Sequence, residues 1–195
     1  MTTLTSSLAY QSSSTAIIIP QSDLHLPYPS LQTQISTLQS RLASLGVTHQ
    51  SAISISLPNS LEFAISFLAV GAQRAIAAPL NPAYQQSEVE FYVDDLKASL
   101  VIVERGAVGG DKPAVRAARK FGAGIAEIWW DGQQVQLELK EKGRNLKPGQ
   151  RVLKAEPDDI AVSSLIRIYV NLTVGVTYEW NDWTTKGYAT CLEGC

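Results

Sequence analysis

Apolar residues recur along the chain at two spacings, one typical of helices and the other of strands. In the stretch 29–45 they lie three and four positions apart, which predicts an amphipathic helix with Gly46 as its C-terminal cap. The stretch 61–73 is apolar almost all round, so we expect this helix to be covered on most sides. A shorter helix is predicted to run to about residue 96, with Ser87 as N-cap and Glu90 as its partner in a capping box.

Short runs rich in β-branched residues separate these helices and predict strands. The run 51–57 alternates apolar residues with serines until Pro58 ends it, and either Asn59 or Ser60 is expected to cap the next helix. The remaining elements are a helix at 112–121 and strands at 15–19, 75–80, 100–103, 125–130 and 135–139. Strand and helix thus alternate with short connections, which predicts an α/β fold: a largely parallel sheet with helices on both faces.

The composition is that of a globular protein and argues against two classes of partner. Of the 195 residues, 45% are hydrophobic and 17% are charged. The formal net charge is -2 and the basic residues form no cluster, so we expect no nucleic-acid partner, because such a surface needs concentrated positive charge. The longest mostly apolar stretch, 63–72, has about half of the ~20 residues of a membrane span, so no span is expected.

The signals for cellular location favour the cytoplasm. The two cysteines are Cys191 and Cys195, so no disulfide framework is expected, as is typical of a reducing compartment. These thiols would form at most half of a zinc site. The early sequence shows no secretory pattern, since its first basic residue is Arg41, and the last three residues are not a Ser-Lys-Leu peroxisomal signal.

No set of residues carries a catalytic or metal-binding pattern. Gly122 and Gly124 follow a predicted helix and precede a predicted strand, the reverse of the order in a dinucleotide-binding turn, so we interpret them as helix-terminating glycines. His25 and His49 have no Cys, Asp or second His at ligand spacing. The adjacent carboxylates are interpreted as solvated pairs, at Asp94-Asp95 and Asp158-Asp159. We therefore assign no catalytic, cofactor-binding or metal-binding residue.

Several blocks of sequence, in order and at matching spacing, resemble a known family. They are Leu57-Pro-Asn-Ser-Leu-Glu-Phe63, Phe67-Leu-Ala69, Ala77-Ala-Pro-Leu-Asn-Pro-Ala-Tyr84, Glu90-Phe-Tyr92, Leu100-Val-Ile-Val103, Gly124-Ile-Ala-Glu127 and Pro157-Asp-Asp-Ile-Ala161. This pattern is similar to the N-terminal part of the adenylate-forming (AMP-binding) superfamily, above all to fungal and plant acyl- or oxalate–CoA ligases. The resemblance runs from about Thr15 to Ala161, which implies a partial N-terminal domain with an incomplete sheet.

The resemblance implies an activity that this chain is not expected to show. Full-length relatives use ATP, magnesium and coenzyme A to activate a carboxylic acid, and they are often peroxisomal. In them the block that ends at Ala161 leads into a loop, Thr-Ser-Gly-Thr-Thr-Gly-x-Pro-Lys-Gly, whose backbone N–H groups and lysine suit phosphates. Here residues 162–180 lack that loop. We therefore expect no cofactor for this chain, and we interpret Asn81, Pro82 and Tyr84, which match a family turn, as a strand-ending turn.

The sequence after Ala161 departs from the family. Residues 166–178 alternate apolar and polar side chains as a strand would, with a possible break near Gly175, and no pattern follows after about residue 179. We expect a disordered tail at 1–14, a partial domain at 15–161 and a divergent tail at 162–195 that ends in disorder. A retained intron or a shifted reading frame would produce such a break.

Three hypotheses for function follow. The first is an inactive, truncated member of the acid–CoA ligase family. The second is a non-catalytic interaction module that self-associates or pairs with a full-length relative through an exposed sheet edge. The third is an independent enzyme, which is disfavoured because no nucleophile–base pair or metal set is visible.

Overall fold

The fold is a single parallel-rich sheet between two layers of helices, with a small ribbon at one side. The computed structural model describes residues 3, 8, 11–156 and 158–163. The elements are β1 (Thr15–Ile19), β2 (Leu24–Pro27), α1 (Tyr28–Leu45), β3 (Ala52–Ser56), α2 (Leu61–Ala72), β4 (Ile76–Pro79), α3 (Gln86–Asp95), β5 (Leu100–Glu104), α4 (Pro113–Phe121), β6 (Gly124–Trp130) and β7 (Val135–Glu141). The predicted α/β class is confirmed.

The order of strands in the sheet differs from their order in the chain. The sheet runs β4-β3-β5-β6-β7, with the first four strands parallel and β7 antiparallel to β6. From β3 the chain passes through α2 to β4 on one side, and then through α3 to β5 on the other side of β3. The direction of winding therefore reverses between β3 and β5, the place where open α/β sheets form a crevice for ligands.

The two faces of the sheet bury separate sets of side chains. On β5, Leu100 and Ile102 point to the face covered by α1 and α2, whereas Val101 and Val103 point to the face covered by α3 and α4. This alternation follows from the two-residue repeat of a strand. Because both faces are covered, β5 reads as an apolar run over residues 100–103 and not as an alternating sequence.

Most of the predicted element ends are confirmed, and one is wrong. Gly46 caps α1 with a φ of 108°, and the Ser60 hydroxyl caps α2 by accepting from the backbone N–H of Phe63. The helix α3, however, starts one residue before Ser87. Its first turn is closed by the Glu88 carboxylate, which accepts from the backbone N–H of Gln85 at 2.7 Å, so the predicted Ser87–Glu90 capping box does not form.

The short strand β2 is absent from the sequence prediction. It pairs antiparallel with β1 through the turn at Pro20–Ser22 and packs beside the start of α1. Its last residue is Pro27, and Pro20 and Pro29 lie close to it in the sequence, so these prolines conceal the strand signal.

The polar stretch that follows β7 does not hang free as a linker. Residues 147–156 and 158–163, which we call the strap, cross the amino ends of β3 and β4, and residues 161–163 then line up parallel to β4. Ala77 of β4 donates its N–H to the carbonyl of Ala161 and accepts from the N–H of Ser163, both at 3.0 Å. In the part of the chain that the structure describes, no helix is long and apolar enough to cross a membrane.

Candidate functional site

Two adjoining hollows at the carboxyl ends of β3, β4 and β5 form a groove at the reversal point of the sheet. The smaller has a volume of about 250 Å³ and reaches between α3 and α4. The larger is shallower, has a volume of about 550 Å³ and lies over the ends of β3 and β4. Pro58 and Pro82 border both hollows. Because ligands of open α/β sheets bind outside the carboxyl ends of the strands, this groove is the candidate site.

One wall of the groove is the turn that follows β4. The Asn81 side-chain oxygen accepts from the backbone N–H of Ala83 at 2.9 Å, and the N–H of Tyr84 bonds to the carbonyl of Asn81. The ring of Tyr84 then stacks on that of Tyr92, with centroids 5.4 Å apart. The structure thus confirms the predicted strand-ending turn, and the Asn81 oxygen is engaged within it.

The charged side chains at the smaller hollow pair with each other. Glu104 ends β5 and Lys112 precedes α4, and their side chains form an ion pair across the mouth of the hollow. The rest of this lining is apolar or proline, apart from Ser56. Among the residues lining the described groove there is no adjacent nucleophile and base.

The loop between β5 and α4 is supported from beneath by a buried carboxylate. Glu127 on β6 is 4% exposed, and it accepts from the backbone N–H of Val108 at 3.0 Å. Burial acts to raise the pKa of Glu127, but the N–H groups of Val108 and Gly106 and the ammonium of Lys140 outweigh it and hold this pKa below its ordinary value of 4.5. The loop includes Ala107, so Glu127 fixes one wall of the groove.

We expect Glu127→Gln to lower the free energy of unfolding at neutral pH by about 1–3 kcal/mol, because an amide replaces a buried charged acceptor. Since the folded-state pKa of Glu127 is lowered, its contribution exists above pH 4.5 and is lost as pH falls through the folded value. The free energies of unfolding of wild type and variant, measured with urea at neutral and acidic pH, should differ at neutral pH and become similar in acid. Glu138→Gln is the control, because Glu138 lies opposite Glu127 in the hairpin but is 54% exposed. Equal losses for both variants would contradict this role.

Apart from the turn at Asn81 and Pro82, the residues singled out in the sequence do not line the groove. Gly122 caps α4 with a φ of 74°, as predicted. Asp94 forms an exposed ion pair with Lys97, and His25 lies near the exposed Asp23. Cys191 and Cys195 fall outside the described residues. Within the described ranges, no group of three or more metal-ligating side chains is found.

The interpretation of Asp159 as a solvated carboxylate is wrong. Its side chain is only 8% exposed, and it accepts from the Arg74 guanidinium at 3.0 Å and lies 3.3 Å from His49. The same guanidinium makes a bidentate pair with Glu156, at 2.8 and 3.0 Å. Arg74 lies 85 residues before Asp159, so no local pattern could have revealed this cluster. It lies at the amino ends of the strands, opposite the groove.

Comparison with known proteins identifies a common family. A family model described as AMP-binding enzyme matches residues 5–164. The chain is 30% identical over 134 residues to an oxalate–CoA ligase of Saccharomyces cerevisiae, which covers 65% of this chain and 25% of that protein. It is 39% identical over 98 residues to an oxalate–CoA ligase of Arabidopsis thaliana, or 50% of this chain and 18% of the relative.

Solved structures show the same fold. The crystal structure of apo MatB from Rhodopseudomonas palustris superposes with a TM-score of 0.60 at 19% identity, and the match covers 77% of this chain and 28% of that one. The crystal structure of IdnL1 gives a TM-score of 0.58 at 15% identity with the same coverage. The chain thus spans about a quarter or less of the curated relatives cited here.

Proposed function

Because the chain belongs to the family of AMP-binding enzymes, we propose that it is the N-terminal sheet section of an acid–CoA ligase and forms no acyl-adenylate by itself. The observation that carries the proposal is the sequence after Ser163. Ser163 is the last described residue, and the Ser/Thr/Gly-rich loop of the resemblance is missing from the sequence that follows it. The match to the family model ends at residue 164, which supports a break near Ala161.

The groove supports the same proposal. Transfer between ATP and a carboxylate needs donors aimed at the phosphates and positive charge to offset theirs. Lys112 is the one cation that lines the described groove, and the neighbouring Glu104 carboxylate already neutralises it. The groove is accordingly a structural remnant of a larger site, to which other parts of the full-length relatives would contribute.

We expect no saturable binding of magnesium–ATP by this chain in isothermal titration calorimetry at millimolar nucleotide. The physical reason is the lack of a phosphate-binding loop beside the groove. A full-length oxalate–CoA ligase of Saccharomyces cerevisiae serves as the positive control, and circular dichroism of the titrated sample verifies that the chain is folded. Saturable heat from the folded chain would refute the proposal.

A second candidate function is an interaction module that pairs with a full-length relative. The observation that favours it is the edge of β4, where Ala77 already exchanges hydrogen bonds with a parallel segment. This edge offers few hydrogen-bonding groups. The N–H groups of Ile76 and Leu80 point towards the β3 side of β4 and are already bonded there. Pro79, the next residue after Ala77 whose backbone nitrogen lies on the outer side, has no N–H. Size exclusion with light scattering tests the pairing: a complex elutes early, and independent elution of the two proteins removes its support.

A further inference from the structure

The strap is held by polar contacts that converge on three side chains of the helical layer. Gln73 donates to the carbonyls of Val47 and Arg151 and accepts from the N–H of Leu153. Gln39 donates to the carbonyl of Leu153 at 2.7 Å. Arg74 then holds the two acidic residues further along, Glu156 at 2.8 Å and Asp159 at 3.0 Å. These contacts occur in sequence order along the strap, so each contact holds the following strap residue close to its own partner.

The strap contributes no side chain to the core. No apolar residue of its described ranges, 147–156 and 158–163, is buried, whereas Leu146 just before it is 3% exposed and belongs to the core. Two of its apolar side chains face solvent, since Val152 is 50% exposed and Ile160 is 38% exposed. Segments with few buried apolar contacts open at a lower free energy than the whole domain.

We propose that the strap opens as one unit while the sheet stays folded, that Arg74 and Gln39 latch it shut, and that opening uncovers the outer edge of β4. The inference does not depend on whether the chain is active. The hinge is the boundary between buried Leu146 and exposed Lys147. Beyond it, the described polar contacts of the strap before Ala161 reaches β4 include those to α1, to Gln73 and Arg74, and to His49.

Opening has a defined chemical consequence at Ala77. Its N–H and C=O are paired with the strap, whereas the N–H of Leu80, the residue directly after β4, bonds to the carbonyl of Ile55 in β3 at 2.9 Å. An open strap therefore leaves Ala77 as an unpaired edge position, able to pair with another extended segment. Leu80 stays protected until the whole sheet unfolds.

Amide hydrogen exchange by NMR on the full chain tests this proposal. We expect the N–H of Ala77 to exchange at least about tenfold faster than that of Leu80. The strap amides of Gly149 and Leu153, which bond to Ser44 and Gln73, should show the same opening equilibrium as Ala77. Equal protection of Ala77 and Leu80 would overturn the proposal.

Two variants test the latch. Arg74→Ala keeps the Cβ atom at this residue, whose φ is 62°, so it removes the guanidinium without adding backbone strain. We expect it to speed exchange of Ala77, Gly149 and Leu153 by one common factor of about ten or more, because charged hydrogen bonds are lost. Gln39→Ala should act in the same direction and to a smaller extent.

Arg119→Ala is the matched control. Arg119 also makes a two-oxygen contact with a glutamate, Glu141, but lies on α4, away from the strap. This variant should leave the exchange of all three amides unchanged. If Arg74→Ala speeds only the amides beside Asp159, or speeds Leu80 by the same factor as Ala77, the strap does not open as a separate unit.

Discussion

Replacing Ile55 by alanine is expected to lower the free energy of unfolding by about 2–5 kcal/mol. Ile55 is fully buried on β3, an inner strand of the sheet, where it lies opposite Pro79 of β4 and Ile102 of β5. Truncation removes the burial of its outer methyl and methylene groups, and neighbours fixed in a parallel sheet cannot move in to fill the space.

Urea unfolding followed by circular dichroism measures this loss, and Ile18→Ala is the control. Ile18 has the same side chain in a strand but is 55% exposed on the ribbon, so its truncation should change stability by less than about 0.5 kcal/mol. A loss for Ile55→Ala as small as that for Ile18→Ala would mean that β3 is not an inner strand of a packed sheet.

Replacing Gly46 by alanine is expected to lower the free energy of unfolding almost as much as Ile55→Ala does, for a steric reason. Gly46 has a φ of 108°, and a Cβ added there would lie 2.6 Å from the backbone nitrogen of Lys147. The left-handed conformation alone costs an alanine about 1–2 kcal/mol. The contact with Lys147 adds roughly 1–3 kcal/mol, because backbone must move and not a flexible side chain.

Gly132→Ala separates the two contributions. Gly132 has a similar φ of 101°, but nothing lies within 4 Å of its added Cβ, so this variant reports the backbone strain alone. Both variants are compared by their urea midpoints and by the exchange of the Gly149 amide. Gly46→Ala should lose more stability and should also loosen the strap at Lys147. Equal effects of the two substitutions would show that the close approach of Lys147 is not maintained in solution.

The parts of the fold that sequence predicts well are those encoded locally. The apolar spacing over Leu31, Ile35, Leu38 and Leu42 is enough to place α1, because its buried face is contiguous along the helix. The hairpin of β6 and β7 follows from a mostly apolar run before Asp131 and an alternating run after it. The Asp131 carboxylate closes the turn by accepting from the backbone N–H groups of Gln133 and Gln134. Each of these signals involves residues a few positions apart.

The parts that sequence misses depend on residues far apart in the chain. Gln34 looks like a surface residue of α1, yet it is 8% exposed and holds the hairpin by accepting from the N–H of Val135 and donating to the carbonyl of Gln133. Its partners lie about a hundred residues later, beyond the reach of any periodic pattern. The link between Arg74 and Asp159 is hidden for the same reason.

The candidate groove could not be predicted for a related reason. Each of its walls has a local signal, such as the prolines that stop β3 and β4, but the groove exists only because β5 lies on the other side of β3 from β4. Helix and strand patterns predict the elements and their order along the chain, but they do not determine the order of the strands within the sheet. The residues that meet at this reversal, Ser56, Glu104 and Lys112, carry no motif.

The measurement that tests the central claim most directly is ATP–pyrophosphate exchange with a panel of carboxylic acids. The purified 195-residue chain is assayed beside a full-length oxalate–CoA ligase of Saccharomyces cerevisiae, with unfolding by urea run in parallel to show a cooperative fold. We predict a folded chain that incorporates no labelled pyrophosphate into ATP above the level without enzyme, while the full-length relative does so. Acid-dependent exchange by this chain alone would contradict the account.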